Sequence, residues 1–92
     1  MINVSIAICL ATYNGESYIS EQLESILAQT CPEWTLFIRD ECSTDNTLSI
    51  LDAYAARHPE KIVLISNSSG KSSGSKNNFA FILNWVNERY TF

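Results

Sequence analysis

Asp40 and Glu41 are adjacent carboxylates set between an apolar run, Trp34-Thr35-Leu36-Phe37-Ile38, and a small-residue turn, Cys42-Ser43-Thr44-Asp45, after which a helical pattern opens. The run has the length and the aromatic, β-branched make-up of a buried strand. Carboxylates at the point where a strand ends and a helix has not begun lie on the edge where open α/β sheets bind ligands. Two other loops, Thr12–Glu16 and Ser66–Lys76, also follow apolar runs and share that edge in a right-handed parallel sheet. Together the three loops offer the ring of Tyr13, the carboxylates of Asp40, Glu41 and Asp45, the hydroxyls of Thr12 and Ser43, and the cations of Lys71 and Lys76. That set suits a nucleotide. The ring stacks on a base, a carboxylate accepts from a base N–H or a ribose hydroxyl, and a lysine meets phosphate.

The same residues admit plainer roles. Tyr13 can cap the core. Asp40, Glu41 and Lys71 can be solvated loop residues. Asp45 reads as a helix-start carboxylate, and Ser43 or Thr44 as the N-cap of the helix that follows. His58 is the sole histidine and precedes Pro59 at the far end of a helix, so no Ser-His-Asp arrangement is available. Neither G-x-G-x-x-G nor G-x-x-x-x-G-K-[ST] occurs. Cys9, Cys31 and Cys42 are odd in number and lack zinc spacing, which reads as three free thiols in a reducing compartment.

The elements that position these residues follow from periodicity. Val4 to Ala11 is apolar on both faces, with Ser5, Ala7, Cys9 and Ala11 giving one face small residues, as in a central parallel strand. A helix is expected over about Glu16 to Gln29, with Ile19, Leu23, Ile26 and Leu27 inward, closed by Thr30-Cys31-Pro32. The strand Trp34–Arg39 follows. A second helix starts near Asp45 or Asn46 and runs to about Arg57, with Leu48, Leu51, Tyr54 and Ala55 on its apolar face. Lys61 to Ile65 is a third strand. After the polar stretch Ser66 to Ser75, a third helix covers about Lys76 to Glu88. Its main stripe is Phe79, Ile82, Leu83 and Val86, and Phe81 and Trp85 form a second. Tyr90-Thr91-Phe92 resembles the start of a fourth strand. This β-α-β-α-β-α-(β) order predicts an α/β fold: a Rossmann-like parallel sheet with helices on both faces.

Ninety-two residues, 46% apolar and 17% charged, make one domain over 1–92, with a modest core and no disordered segment. The net charge of -4 and the scattered Lys and Arg argue against a nucleic-acid partner. The apolar run near the start is too short for a membrane span and lacks a basic lead, so no signal peptide or span is expected and the location reads as cytoplasmic.

Three blocks at characteristic separations carry a resemblance: V-S-I-A-I-C-L-A-T-Y-N-G, E-Q-L-E-S-I-L-A-Q-T and L-F-I-R-D-E-C-S-T-D-N-T. They resemble the N-terminal part of family 2 glycosyltransferases with the GT-A fold, over Val4 to Phe92. K-N-N-F-A-F-I-L is similar to members that transfer rhamnose and related sugars to bacterial surface polysaccharides. The resemblance implies a UDP- or dTDP-sugar donor, with Tyr13 against the base, Asp40 and Glu41 holding uracil and ribose, and Lys76 approaching the donor; Thr12 and Ser43, on the same loops, complete the candidate donor-binding residues. Two positions depart from the family: Glu41 stands where a second Asp is usual, and Cys42 where Gly is usual, although a left-handed turn favours Gly.

The resemblance further implies Mg2+ or Mn2+ on a D-x-D motif, a catalytic base, and a saccharide or lipid-linked acceptor in the complete enzyme. These 92 residues contain no D-x-D. The expectation is therefore the nucleotide-binding half of the fold, truncated at the start of the fourth strand, without turnover by itself and prone to self-association. The competing expectation is a non-catalytic α/β binding module. A receiver domain would need a phosphorylatable Asp after the third strand, where Ile65-Ser66-Asn67 stands.

Overall fold

The computed structural model describes residues 2–3, 6–29, 33–67 and 75–91. Cys31, Lys71 and the Thr30-Cys31-Pro32 helix end lie outside the described residues, as do Phe92 and the side chain of Lys76. Strands β1 (Ile2–Asn3), β2 (Ile6–Thr12), β3 (Trp34–Asp40), β4 (Ile62–Ile65) and β5 (Tyr90–Thr91) alternate with helices α1 (Ile19–Leu27), α2 (Thr47–Arg57) and α3 (Ser75–Arg89). β2, β3 and β4 form a parallel sheet in that order, with Ile6 opposite Trp34 and Leu36 opposite Ile62. β5 does not pair with β2. It pairs in parallel with β1, the segment just ahead of β2.

Helices pack on both faces, as the two-sided apolar strands demand. Ile19 and Leu23 of α1 and Leu51 and Tyr54 of α2 bury against Trp34, Leu36, Ile38 and Ile62. Ile82 and Val86 of α3 bury against Phe37 and Ile65 on the other face. Each such aliphatic side chain contributes about 1.5–3 kcal/mol. α1 and α2 serve crossovers that step the same way across the sheet, from β2 to β3 to β4. α3 leads back toward β1, and a right-handed crossover then requires the opposite face. A reversal of this kind opens a crevice at the carboxyl ends of the strands.

Several boundaries differ from the sequence expectation. α1 begins at Ile19 rather than Glu16, because the Gly15 carbonyl accepts from both Tyr18 N–H and Ile19 N–H in a tight turn. A Cβ on Gly15 would meet the Tyr18 ring at 3.0 Å, so glycine permits that close approach. β3 does not stop at its charged residues: Arg39 and Asp40 are strand residues, and with Glu41 they are buried. On α2, Leu48 is exposed instead of facing the core, and Thr47 is buried.

α3 is rotated relative to its expected stripe. Asn78, Ile82 and Val86 face inward, while Phe79 and Leu83 are exposed. The second stripe divides: Trp85 is half-buried, while Phe81 is 44% exposed. Trp85 packs with Phe37 and Tyr90 at ring distances of 6.2 Å each, and Phe81 lies over the Arg39 guanidinium at 3.9 Å.

Candidate functional site

Thr12 ends β2 and Asp40 ends β3, directly opposite each other in the parallel register. The Thr12 hydroxyl donates to Asp40 Oδ1 at 2.8 Å. Glu41 N–H donates to the Thr12 carbonyl at 2.8 Å and extends the ladder one rung further. Ser43 then folds back on Asp40: its N–H reaches Oδ2 at 2.8 Å and its hydroxyl reaches Oδ1 at 2.6 Å. Asp40 is only 4% exposed, and three donors from the chain itself account for most of its roughly four acceptor sites.

The first two loops are laced together beyond that point. Asn14 N–H donates to Ser43 Oγ at 2.8 Å, and Asn14 Oδ1 accepts from Thr44 N–H at 2.8 Å. Glu16 N–H donates to Asp45 Oδ2 at 3.1 Å, while Glu16 Oε1 accepts from Asn46 N–H at 2.7 Å. Gly15 N–H donates to Thr47 Oγ1 at 2.8 Å, and the Thr47 hydroxyl and N–H both donate to Asp45 Oδ1. The Thr47 hydroxyl is the main reason the Asp45 carboxyl lies below its ordinary range; desolvation opposes it, and N–H groups of Thr47 and Glu16 reinforce it. Ser43 and Thr44 are thus loop-to-loop bridges. The residue before α2 is Asn46, whose side chain makes no capping bond.

Two residues of this lacing have positive φ: Asn14 at 46° and Cys42 at 57°. Asn tolerates the left-handed region. Cys42 adopts the conformation for which glycine is usual, and the Asn67 amide steadies it, with Nδ2 at 3.3 Å from both Cys42 Sγ and the Asp40 carbonyl. Asn67 brings in the third loop, the one after β4.

A concavity of about 490 Å³ opens at this edge, lined by Asp40, Cys42, Leu48, Asp52, Leu64, Ile65, Ser66 and Asn67. Of the sequence-derived site residues whose side chains are described, Asp40 alone lines it. Thr12, Glu41 and Ser43 stand behind or beside Asp40. Tyr13, 52% exposed, lies on the adjoining loop outside the lining. Glu41 is 3% exposed and so is not a solvated turn residue. Lys76 is the second residue of α3. Among the described residues no three His, Cys, Asp or Glu side chains gather as metal ligands. The Asp40 carboxylate is occupied by Thr12 and Ser43, so the described residues do not fit a divalent cation.

Sequence reasoning missed Asp52, Leu48, Asn67, Arg39 and Asn78. Asn67 follows β4 at the ligand edge and was findable by the rule that located the other loops. Asp52 looks like any exposed helical acid. Arg39 and Asn78 are 39 positions apart, and no local pattern joins them.

Residues 7–90 match the family model described as glycosyl transferase family 2. The dTDP-rhamnosyl transferase RfbG of Shigella flexneri is 40% identical over 84 residues, which are 90% of this chain and 29% of that protein. The poly(ribitol-phosphate) beta-N-acetylglucosaminyltransferase TarS of Staphylococcus aureus is 34% identical over 73 residues, 77% of this chain and 13% of TarS. Among solved structures, the mannosyltransferase PcManGT of Pyrobaculum calidifontis, in complex with GDP-Man and Mn2+, superposes with a TM-score of 0.76 at 25% identity, covering 87% of this chain and 24% of that one. The chain therefore spans less than a third of the length of each of these relatives.

Proposed function

The chain belongs to glycosyl transferase family 2, and on that premise we propose that it is the part of an inverting glycosyltransferase that recognises a UDP- or dTDP-linked sugar for bacterial surface polysaccharide synthesis. The observation that carries this reading is the convergence of three strand-end loops on Asp40, beside a concavity of a size suited to a nucleoside. The name of the Shigella flexneri relative supports a dTDP-sugar, and the GDP-Man held by the archaeal mannosyltransferase supports a nucleoside diphosphate donor in general.

In this reading Thr12 and Ser43 hold the Asp40 carboxylate still, and its remaining acceptor site takes an N–H of the base or a ribose hydroxyl. Tyr13 is free to lie on the base from the adjoining loop. Glu41 supports the same turn from its buried position. Lys76, at the start of α3, approaches the diphosphate, where a helix N-terminus also favours negative charge.

The full reaction needs more than these residues. Mg2+ or Mn2+ in the complete enzyme would act on the diphosphate through a D-x-D motif that the 92 residues lack, and the acceptor is a saccharide or lipid-linked saccharide met elsewhere. The chain by itself is proposed to bind donor without transfer, in the cytoplasm. No helix among the described residues is long and apolar enough to cross a membrane. Calorimetric titration with dTDP, UDP and GDP tests the reading. Saturable binding of a pyrimidine diphosphate, tighter than GDP, supports it. Absence of binding for both dTDP and UDP contradicts it, and metal-dependent sugar transfer by this chain alone contradicts the claim of no turnover.

A further inference from the structure

Arg39 has no role in the site as described, yet it is a buried cation held by three partners among the described residues. It is 6% exposed and lies on the α3 side of β3. Among the described residues no carboxylate pairs with it, and its Nε makes no hydrogen bond. Its partners are one ring and two amides. Phe81 lies 3.9 Å from the guanidinium, Nη1 donates to Asn78 Oδ1 at 2.8 Å, and Nη2 donates to Asn67 Oδ1 at 3.0 Å.

A guanidinium only donates, so each amide must turn its oxygen toward Arg39 and its NH2 away. For Asn78 the NH2 returns to the Arg39 carbonyl at 2.8 Å, which staples the first turn of α3 to the end of β3. For Asn67 the NH2 reaches the Asp40 carbonyl and Cys42 Sγ. Asn67, Asp40 and Cys42 line the concavity and Arg39 does not. Arg39 therefore sets the orientation of an amide that faces the ligand space and props the left-handed turn at Cys42.

We propose that Arg39 is a positioning residue of the donor site: it acts through Asn67 to hold the Asp40–Cys42 turn, while its bonds to Asn78 serve the packing of α3. This rests on the nucleotide reading above. Lysine keeps the charge but is a point donor and cannot fork to two amides at once. Arg39→Lys is thus a relay-breaking change that retains the buried cation.

The test is a double-mutant cycle on dTDP affinity, with Arg39→Lys, Asn67→Ala and the pair. Each single change is expected to raise Kd about tenfold, and the pair no further, because Arg39 works through Asn67. Independent structural losses would add. Additive effects, or Arg39→Lys binding within twofold of wild type, overturn the proposal and leave the nucleotide reading intact. A wild-type chain that binds neither dTDP nor UDP overturns both. If Arg39→Lys does not fold, the wild-type protein carries the test. The Arg39 Nε–H and Asn67 side-chain amide resonances are expected to shift together on dTDP addition, and any other result overturns the relay.

Discussion

The Thr12 hydroxyl and the Asp40 carboxylate face each other across the ends of two parallel strands, 2.8 Å apart and both shielded from solvent. The Thr12 and Ser43 hydroxyls meet on the same carboxylate oxygen, Oδ1, while Ser43 N–H takes Oδ2, so both oxygens are fixed. An acceptor group is useful in recognition when it is already aimed before the ligand arrives, since ordering it later would reduce affinity.

Thr12→Val replaces the hydroxyl with a methyl group of similar shape and leaves a buried carboxylate one donor short. Hydrogen bonds to charged groups contribute about 1.5–3 kcal/mol, so urea denaturation is expected to show a loss of that order. Nucleotide affinity falls as well if Asp40 reads the ligand. A loss below about 0.5 kcal/mol would mean that Ser43 alone suffices to hold Asp40.

Cys42 stands at φ 57°. A left-handed residue with a Cβ costs about 1–2 kcal/mol, and glycine loses about 0.5–1 kcal/mol through its freer unfolded chain. Cys42→Gly is therefore expected to gain up to about 1.5 kcal/mol in a urea or thermal melt, by the difference of those two terms, and a loss would contradict it. Cys42→Val, β-branched at positive φ, is expected to lose stability.

The fold was legible because its strands are apolar on both faces and its helices keep their period, which fixes a parallel, two-faced α/β sheet. The edge was legible because Asp40 and Glu41 interrupt an apolar run. Partner choice within the edge was not. Ser43 looked like a helix cap, but its hydroxyl donates to Asp40 three residues earlier and accepts from Asn14 N–H on the neighbouring loop. Leu48 was expected inside and lines the concavity instead. The rotation of α3 was hidden too: Phe79 and Leu83 look more apolar than Asn78, yet Asn78 is inside because Arg39 offers it a donor and an acceptor. Helical periodicity carries no information about a polar partner on a distant strand.

Asp45 gives a pH signature. Its folded carboxyl titrates below the ordinary value of 3.8, chiefly through the Thr47 hydroxyl. The unfolded chain then binds the proton more readily, so stability rises with pH across the interval between the folded value and 3.8. The contribution is fully present above 3.8 and is lost as pH falls through the folded value. In acid titrations followed by circular dichroism, Asp45→Asn is expected to flatten that rise, and an unchanged slope would contradict it.

Phe79 and Leu83 stand exposed one turn apart on α3, and β2 has a strand partner on one side only along Ile6–Thr12 among the described residues. Both features favour association. Sedimentation is expected to show a dimer or larger species at high concentration, reduced by Phe79→Lys with Leu83→Lys. A monomer across the whole concentration range would contradict this.

The most direct measurement is a two-dimensional NMR titration of the 92-residue chain with dTDP and UDP. The account predicts that shifts concentrate at Tyr13, Asp40, Cys42, Asn67 and the backbone amides of residues 75–78, with the far ends of the strands, near Trp34 and His58, unmoved. Shifts scattered over the surface, or none at Tyr13, Asp40, Cys42 and Asn67, would contradict it.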